Sequence, residues 1–408
     1  SLEPELRPYL EAEEIKSLRD HRRLAGGPES KKHGIISLAL PLSGKLERYG
    51  QRIERGALLA ARHAESERGV ILDFETTDTK GSAVNASRAA LAAQNSDALA
   101  IIGPLTSEEA VAVSATLNCA EISALAPAAS QADFTQLSEA TFQMTPSPEM
   151  VGRRLAEYAF MKIPASTAAA LAPNSDNERR MAEAFVARFE SLGGEIVAYE
   201  IFPPRATDFG GFCRKIKDHF LSAYEENAVM LNTNGDTLNL NEAPVEIGCI
   251  FVSANQSQLK LALPQINFHN IFTTLLGSDG LMSQNIRDMT LQNVRRVIFS
   301  SNLAQNTGSE AYITFAERYR QAYGEPPDRL AALGYDAVNL IVNGILSGAE
   351  TQSRMRKYLS TVQNYSGVSG EITFGADHTN HAIALYTYAG GQRQRIDWDG
   401  PATTLGRK

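Results

Sequence analysis

Residues 99–109, LAIIGPLTSEE, combine an apolar run with a hydroxyl pair and two glutamates. The apolar run predicts a buried strand, and the polar residues after Gly103 and Pro104 predict the start of a helix. A helix start offers unpaired N–H groups and a partial positive charge, which suit an anion. Thr106 and Glu109 also have the spacing of a capping box, which would account for both residues without any ligand. Both interpretations are open at the level of sequence.

The other residue types that could do chemistry form no recognised catalytic pattern. The sequence has no GxxxxGK[ST] phosphate loop, no GxGxxG after a strand, no GxSxG and no HExxH. His378 and His381 lie beside Asp377 in the stretch GADHTNHA, where a metal site is conceivable but a polar turn between two strands is the simpler interpretation. The pattern favours binding over catalysis, and we expect no enzymatic activity, no metal and no cofactor.

The composition argues against several classes of partner. The 408 residues carry a net charge of −8, which does not suit nucleic acid or an anionic membrane surface. No apolar stretch approaches the roughly 18 residues that a membrane helix needs. The cysteines Cys119, Cys213 and Cys249 are far apart, and we expect small buried side chains rather than disulfides. The sequence shows no secretory segment, so we interpret the chain as mature or trimmed.

The elements that must position these residues are strands and helices in alternation. Apolar runs without alternation predict buried strands, and stretches with helical period follow them. The predicted strands cover 34–40, 70–76, 98–103, 121–126, 167–172, 195–201, 248–254, 272–277 and 295–301. The predicted helices cover 47–66, 82–95, 106–117, 148–162, 178–192 and 208–224, and three more follow residue 302. This order predicts an α/β fold with two doubly wound parallel-sheet lobes.

The same pattern predicts how the chain divides. The expected parts are an N-terminal helical stub and linker (1–32), lobe 1 (33–146 plus 303–372), lobe 2 (147–302 plus 373–398) and a tail (399–408). The β-rich end should return to complete an earlier domain. Three crossings near residues 146, 302 and 372 would then form a hinge between the lobes. The polar stretch 226–246 breaks the rhythm and is interpreted as an insertion loop.

Several stretches together resemble a known family. They are LALPLSGKLERYGQRIERGALLAA, DTKGSAVNA, LAIIGPLTSEEAVAVSATL, EISALAPAASQADFTQ, FQMTPS and GEITFGADH. From about His33 to Trp398 the chain resembles the periplasmic solute-binding proteins of the leucine/isoleucine/valine type, the two-lobed receptors of ABC transporters. The resemblance implies the type I periplasmic binding protein fold, with a hinge and a ligand cleft between the lobes.

In that family the opening stretch forms one wall of the cleft, at the carboxyl ends of strands. The resemblance implies that the Ser107 hydroxyl binds a ligand carboxylate, and that the Ala129 backbone and the Ser130 hydroxyl line the next turn. It also implies that Tyr49, in the loop after the first strand, takes the aromatic position of SGxxxxYG. The structural alternatives are a capping role for the helix start, a core-edge role for Tyr49 and a turn role for Ala129.

Lobe 2 would supply the opposite wall. The resemblance implies contacts from Asn177 at a helix start, from Gln256 after a strand, and from Asp279, whose carboxylate would pair with a ligand ammonium. Asp279 could equally serve as the turn former in Ser-Asp-Gly. Glu108 and Glu109 depart from the family pattern. If either carboxylate faced the cleft, it would disfavour an anionic ligand and favour one with extra positive charge.

The resemblance implies a receptor in the periplasm or cell envelope that closes on an amino acid or related zwitterion for an ABC transporter permease. A second interpretation is an envelope lipoprotein domain that follows a tetratricopeptide region, as in the penicillin-binding-protein activators. Its partner would be a cell-wall synthase, and its cleft would be vestigial. The helical stub and the 226–246 insertion favour this alternative.

Overall fold

The computed structural model describes residues 31–131, 133–163, 165–221, 243–282, 286, 289, 292–301 and 309–398. Most of the predicted stub 1–32, most of the predicted insertion 226–246, the tail 399–408 and the crossing near residue 302 lie outside the described residues. The described part contains two large sheets and one short hairpin.

Five strands form the first sheet: β1 (Lys32–Leu40), β2 (Val70–Asp78), β3 (Ala100–Ile102), β4 (Ser123–Ala126) and β5 (Thr141–Gln143). They are parallel and lie in the order β2-β1-β3-β4-β5. All residues of β3, β4 and β5 are buried, as expected for a sheet covered on both faces. The four predicted strands of this sheet are confirmed, whereas β5 has too short an apolar run to be predicted from sequence.

Seven strands form the second sheet: β6 (Thr167–Pro173), β7 (Glu195–Phe202), β8 (Val245–Val252), β9 (Ile271–Gly277), β10 (Val294–Ser300), β13 (Leu385–Ala389) and β14 (Gln392–Ile396). Their order is β14-β13-β10-β9-β8-β6-β7. Strands β6 to β10 are parallel, and the antiparallel pair β13 and β14 is added at one edge. The end of the chain therefore returns to complete this sheet, as the sequence predicts.

The helices of the described residues cover both faces of both sheets. They are α1 (Glu47–Arg68), α2 (Ala83–Gln94), α3 (Ser107–Thr116), α4 (Pro148–Lys162), α5 (Asp176–Ser191), α6 (Gly210–Leu221), α7 (Gln256–Phe268), α8 (Glu310–Tyr323), α9 (Arg329–Leu346) and α10 (Gln352–Leu359). Helices α1, α9 and α10 pack on one face of the first sheet, and α2 and α3 pack on the other. Helices α4 and α5 cover one face of the second sheet, and α6 and α7 cover the other. Each covered sheet is one lobe.

Glycines bring α1 and α9 into close contact. A Cβ atom at Gly56 would overlap the carbonyl oxygen of Ala331, and one at Gly334 would overlap the carbonyl oxygen of Ile53. The two backbones therefore approach more closely than larger side chains would permit. This contact joins the second segment of lobe 1 to the first, although more than 250 residues separate the two helices in sequence.

Two crossings between the lobes lie side by side. One runs from β5 into α4, and the other follows the hairpin of β11 (Tyr365–Ser366) and β12 (Glu371–Ile372). Gln143 and Thr379 form a β-bridge between these crossings. The Asn380 side-chain amide donates to the carbonyl oxygens of Met144 (2.9 Å) and Glu371 (3.0 Å). One buried asparagine thus holds both crossings together.

The predicted α/β class with two doubly wound lobes is confirmed. No element is predicted from the sequence for the stretch LKLALPQI, because its internal proline weakens the helical signal, and the structure places it in α7 with Pro264 inside the helix. Cys119 is exposed, so its predicted burial is wrong, while Cys213 and Cys249 are buried and burial raises the pKa of the Cys213 thiol to about 12. Among the described residues, no helix is both long and apolar enough to cross a membrane.

Candidate ligand cleft

The start of α3 is a complete capping box. The Thr106 hydroxyl oxygen accepts from the Glu109 backbone N–H (3.2 Å), and the Glu109 carboxylate accepts from the Thr106 backbone N–H (3.1 Å). The other oxygen of this carboxylate accepts from the Thr79 hydroxyl at 2.5 Å. Glu109 is fully buried and therefore belongs to the structure of lobe 1, whereas Glu108 is exposed.

Ser107 joins this helix start to the next turn of lobe 1. Its hydroxyl oxygen accepts from the backbone N–H groups of Ser130 (3.3 Å) and Gln131 (3.1 Å). Because these two bonds use the oxygen as acceptor, the hydroxyl hydrogen remains able to donate to a further acceptor. Ala129 is buried beside this turn, where it belongs to a small apolar cluster with Ala110, and Ser130 is half-buried.

The turn also reaches lobe 2. The Ser130 hydroxyl donates to the Asn177 side-chain oxygen at 3.1 Å. Asn177 is the second residue of α5, close to the predicted helix start, and it is exposed. The structure therefore brings Ser107, Ala129, Ser130 and Asn177 together, at the carboxyl ends of β3, β4 and β6, where an open α/β sheet binds its ligands.

Three other predicted residues have positions that fit a cleft but no contact with this group. Tyr49 lies in the first turn of α1 rather than in a loop, and its side chain is 52% exposed, so it is not a core-edge aromatic. Gln256 is the first residue of α7 and is half-buried. Asp279 begins a short 3-10 helix after β9 and is exposed. None of the three side chains forms a hydrogen bond to another described residue.

Sequence reasoning missed the aspartate that shapes the loop before Tyr49. The carboxylate of Asp78 accepts from the Leu42 backbone N–H (2.8 Å), the Ser43 hydroxyl (2.6 Å) and the Lys80 backbone N–H (2.9 Å). Burial raises the pKa of this carboxyl, but the hydrogen bonds from Ser43 and the backbone outweigh it and lower the pKa overall. Nothing in the stretch VILDFETTD indicates that the carboxylate of its last residue, Asp78, accepts hydrogen bonds from the loop that follows β1.

Glycines let the backbone approach closely around this loop. A Cβ atom at Gly103 would overlap the carbonyl oxygen of Ala39, and Gly103 has a φ of +121°. A Cβ atom at Gly50 would overlap the carbonyl oxygen of Pro41. Both positions therefore require glycine. Gly50 of the SGxxxxYG motif therefore lets the first turn of α1 lie directly against the loop that follows β1.

The basic side chains beside Asn177 already have acidic partners. Arg179 pairs with Glu183 (2.7 Å) and Asp176 (3.3 Å). Arg180 pairs with Glu149 at the start of α4 and with Asp176. A ligand carboxylate would therefore rely on the hydroxyl and N–H groups of lobe 1 rather than on these guanidinium groups.

The histidines of GADHTNHA lie in a turn, as the simpler interpretation of the sequence predicts. His381 Nε2 lies 2.9 Å from Asp377 Oδ1, and the His378 ring stacks on Phe142 with 4.4 Å between centroids. In the part of the chain that the structure describes, no three histidine, cysteine or acidic side chains converge as metal ligands would.

Comparison with known proteins identifies a family over most of the chain. The family model described as "Periplasmic binding protein" matches residues 36–392. A Leu/Ile/Val-binding protein of Rhizobium johnstonii is 20% identical over 379 residues, which are 90% of this chain and 95% of that protein.

Solved structures agree in fold. A putative branched-chain amino acid ABC transporter protein from Rhodospirillum rubrum has a TM-score of 0.74 at 20% identity, with 89% of this chain and 100% of that chain covered. A solute-binding protein of an ABC transporter from R. palustris, solved with benzoate, has a TM-score of 0.59 at 17% identity, with 90% and 97% covered. At these identities the likeness establishes the fold alone.

Proposed function

Because this chain belongs to the periplasmic binding protein family, we propose that it is an extracytoplasmic receptor that closes its two lobes on a small polar ligand. The observation that carries the proposal is the chain of contacts from Ser107 through Ser130 to Asn177. These contacts connect the carboxyl ends of strands in both lobes. A ligand bound there would touch both walls and would favour the closed arrangement by its differential affinity.

The ligand that we favour is an amino acid or a related zwitterion. The Ser107 hydroxyl and the N–H groups at the start of α3 suit a carboxylate. The exposed carboxylates of Glu108 and Asp279 suit an ammonium group. The Rhizobium relative is a Leu/Ile/Val-binding protein, which supports this class. The structure with benzoate supports a wider class of carboxylates as the alternative.

In this role the partner is the permease of an ABC transporter, and the protein works in the periplasm as a receptor rather than as an enzyme. The ligand contacts of lobe 1 would come from Ser107, Ser130 and the Ala129 backbone, with Tyr49 at the rim. Those of lobe 2 would come from Asn177, Gln256 and Asp279. Closure would bring the two sets to opposite sides of one ligand.

A thermal-shift screen of the twenty amino acids and benzoate tests the proposal. A ligand at about 100 times its Kd should stabilise the fold by about 2.7 kcal/mol, which raises Tm by about 5–10 °C for lobes of this size. The shift should disappear in Ser107→Ala and Asp279→Ala. Ser66→Ala is the matched control, because Ser66 is exposed on α1 and bonds only within that helix. An equal shift in wild type and Ser107→Ala would contradict the proposed contacts, and no shift with any compound would contradict the ligand class.

A further inference from the structure

Three turns of lobe 2 lie in a row at the candidate cleft. Strands β6, β8 and β9 are parallel neighbours in the second sheet, in the order β9-β8-β6. Their carboxyl ends therefore lie side by side, about 5 Å from strand to strand. The hydrogen bond from Ser130 to Asn177 shows that the end of β6 faces lobe 1. The stretches at these strand ends are PNSDN (173–177), SANQ (253–256) and GSDG (277–280).

These three turns offer no apolar surface to a ligand. Apart from glycine, their only apolar residues are Pro173 and Ala254, and both are buried. The next apolar residues along the chain after β9 are Leu281 and Met282. Leu281 is fully buried, and Met282 packs against the core of lobe 2. An aliphatic ligand group would therefore find no apolar side chain to pack on in these turns.

The turns offer hydrogen-bonding side chains instead. Exposed or half-buried polar side chains there are those of Asn174, Asn177, Asn255, Gln256, Ser278 and Asp279. The side-chain oxygens of Asn177 and Asn255 accept from the Ser130 hydroxyl (3.1 Å) and the Gln258 backbone N–H (3.1 Å). The amide N–H groups of these two asparagines have no partner among the described residues. The same holds for the amides of Asn174 and Gln256, so four carboxamides can donate to a ligand.

The two carboxylates in these turns differ in their partners. The carboxylate oxygens of Asp176 lie 3.3 Å from guanidinium nitrogens of Arg179 and Arg180, whereas Asp279 has no partner among the described residues. In the proposed function, Asp279 takes the ligand ammonium and Ser107 takes the ligand carboxylate. Because Asp279 follows β9, at one end of the row, the rest of the ligand would lie along the turns after β8 and β6. The free side-chain groups of those turns are neutral amides.

We propose that the ligand is an amino acid whose side chain carries an uncharged amide or hydroxyl group, as in glutamine or asparagine. An aliphatic side chain in this position would remove water from the amides without replacing its hydrogen bonds, which costs free energy. A ligand carboxamide both donates and accepts, so it can pair with the amides of this wall. The inference rests on the proposed function, because the contacts with Ser107 and Asp279 orient the ligand.

Calorimetric titration of the full chain with glutamine, asparagine, leucine and lysine, each separately, tests this inference. Glutamine or asparagine should bind at least about tenfold more tightly than leucine and lysine. Gln256→Met keeps the length of the side chain but removes its amide, so it should weaken glutamine binding about fivefold without weakening leucine binding. Asn174→Leu should act in the same direction. Gln392→Met is the matched control, because Gln392 is exposed at the opposite end of the second sheet.

Two results would overturn this inference and leave the receptor function intact. One is tighter binding of leucine or lysine than of both amide-bearing amino acids, and the other is an unchanged glutamine affinity in both Gln256→Met and Asn174→Leu. Retained leucine binding in these variants shows that they are folded. If none of the four amino acids binds up to about 10 mM, the inference and the proposed amino acid class both fail.

Discussion

Glu108 and Glu109 are identical neighbours with opposite environments. Glu108 lies exposed at the start of α3, while Glu109 is fully buried and accepts hydrogen bonds from Thr79 and Thr106. The helix places consecutive side chains about 100° apart, so one points to solvent and the other into lobe 1. Of these two glutamates, only Glu108 can therefore contribute charge to the candidate cleft.

Glu109→Ala should lower the free energy of unfolding by about 2–4 kcal/mol, because it removes the cap and leaves buried donors without an acceptor. Urea denaturation followed by circular dichroism measures the change. Glu108→Ala is the matched control and should stay within about 0.5 kcal/mol of wild type. Equal losses in the two variants would contradict the assignment of Glu109 as the structural residue.

Asp336 is a buried carboxylate beside the second crossing. Its oxygens accept from the backbone N–H groups of Val368 (2.9 Å) and Ser369 (2.7 Å). Burial raises the pKa of Asp336 to about 6, although the hydrogen bonds from Ser369 and Val368 oppose this shift. The hydrogen bonds order the β11–β12 hairpin, and burial makes the charged form costly.

This environment predicts a pH-dependent stability. A carboxyl whose folded-state pKa is raised stabilises the fold most below the unfolded value of 3.8, and that contribution is lost as pH rises to about 6. The loss amounts to about 3 kcal/mol. The unfolding free energy of wild type, measured relative to that of Asp336→Asn, should therefore fall from pH 4 to pH 7. Urea titrations across this range measure it, and a constant difference would refute the raised pKa.

The contact of α1 with α9 depends on glycine. Gly334→Ala should cost about 1–3 kcal/mol, because the added Cβ overlaps the Ile53 carbonyl and forces the helices apart. Gly211→Ala is the control, since its Cβ would meet only the end of the Arg214 side chain on α6, at an ordinary contact distance of 3.9 Å, and it should be neutral or stabilising by up to about 1 kcal/mol. Thermal unfolding separates the two, and a tolerated Gly334→Ala would show that the helices can separate at little cost.

Elements with a local signal could be predicted from the sequence, and contacts between distant segments could not. The apolar runs of β1 and β6, and Pro148 at the start of α4, specify their own structure. The three residues of β5 are a strand only because β4 pairs with them. The capping box of Thr106 and Glu109 could be predicted from the sequence, but the hydrogen bond that the Glu109 carboxylate accepts from Thr79 could not.

The candidate cleft shows the same division. Ser107, Ser130 and Asn177 were placed by resemblance, and the structure brings them within hydrogen-bond distance across the lobes. The role of Asp78 could not be predicted from the sequence, because its hydrogen-bond partners Leu42 and Ser43 lie in the loop that follows a different strand, β1. The contacts of the seven predicted residues with a ligand stay a prediction, as do the lobe boundaries. The cell-wall alternative depends on segments that lie largely outside the described residues.

The hydrogen bond from the Ser130 hydroxyl to the Asn177 side-chain oxygen joins the two lobes at the cleft. Asn177→Ala removes it, and the loss of one neutral hydrogen bond should shift the equilibrium toward the open form by about 2- to 10-fold. Asn95→Ala is the matched control, because the Asn95 side chain bonds within lobe 1. Asn255→Ala would not serve as a control, because Asn255 caps α7. An unchanged distribution of lobe distances in Asn177→Ala would show that other contacts set the angle.

The distance between the lobes, measured with and without an amino acid, shows whether this protein closes on its ligand. The exposed Cys119 takes one spin label, a second goes on Glu190→Cys of the exposed end of α5, and the buried Cys213 and Cys249 should not react. Leucine, isoleucine and valine are added first, then the other amino acids. We predict that a binding amino acid shortens and narrows the distance distribution, and that Ser107→Ala abolishes the change. Binding without any change in distance would contradict a receptor that closes on its ligand.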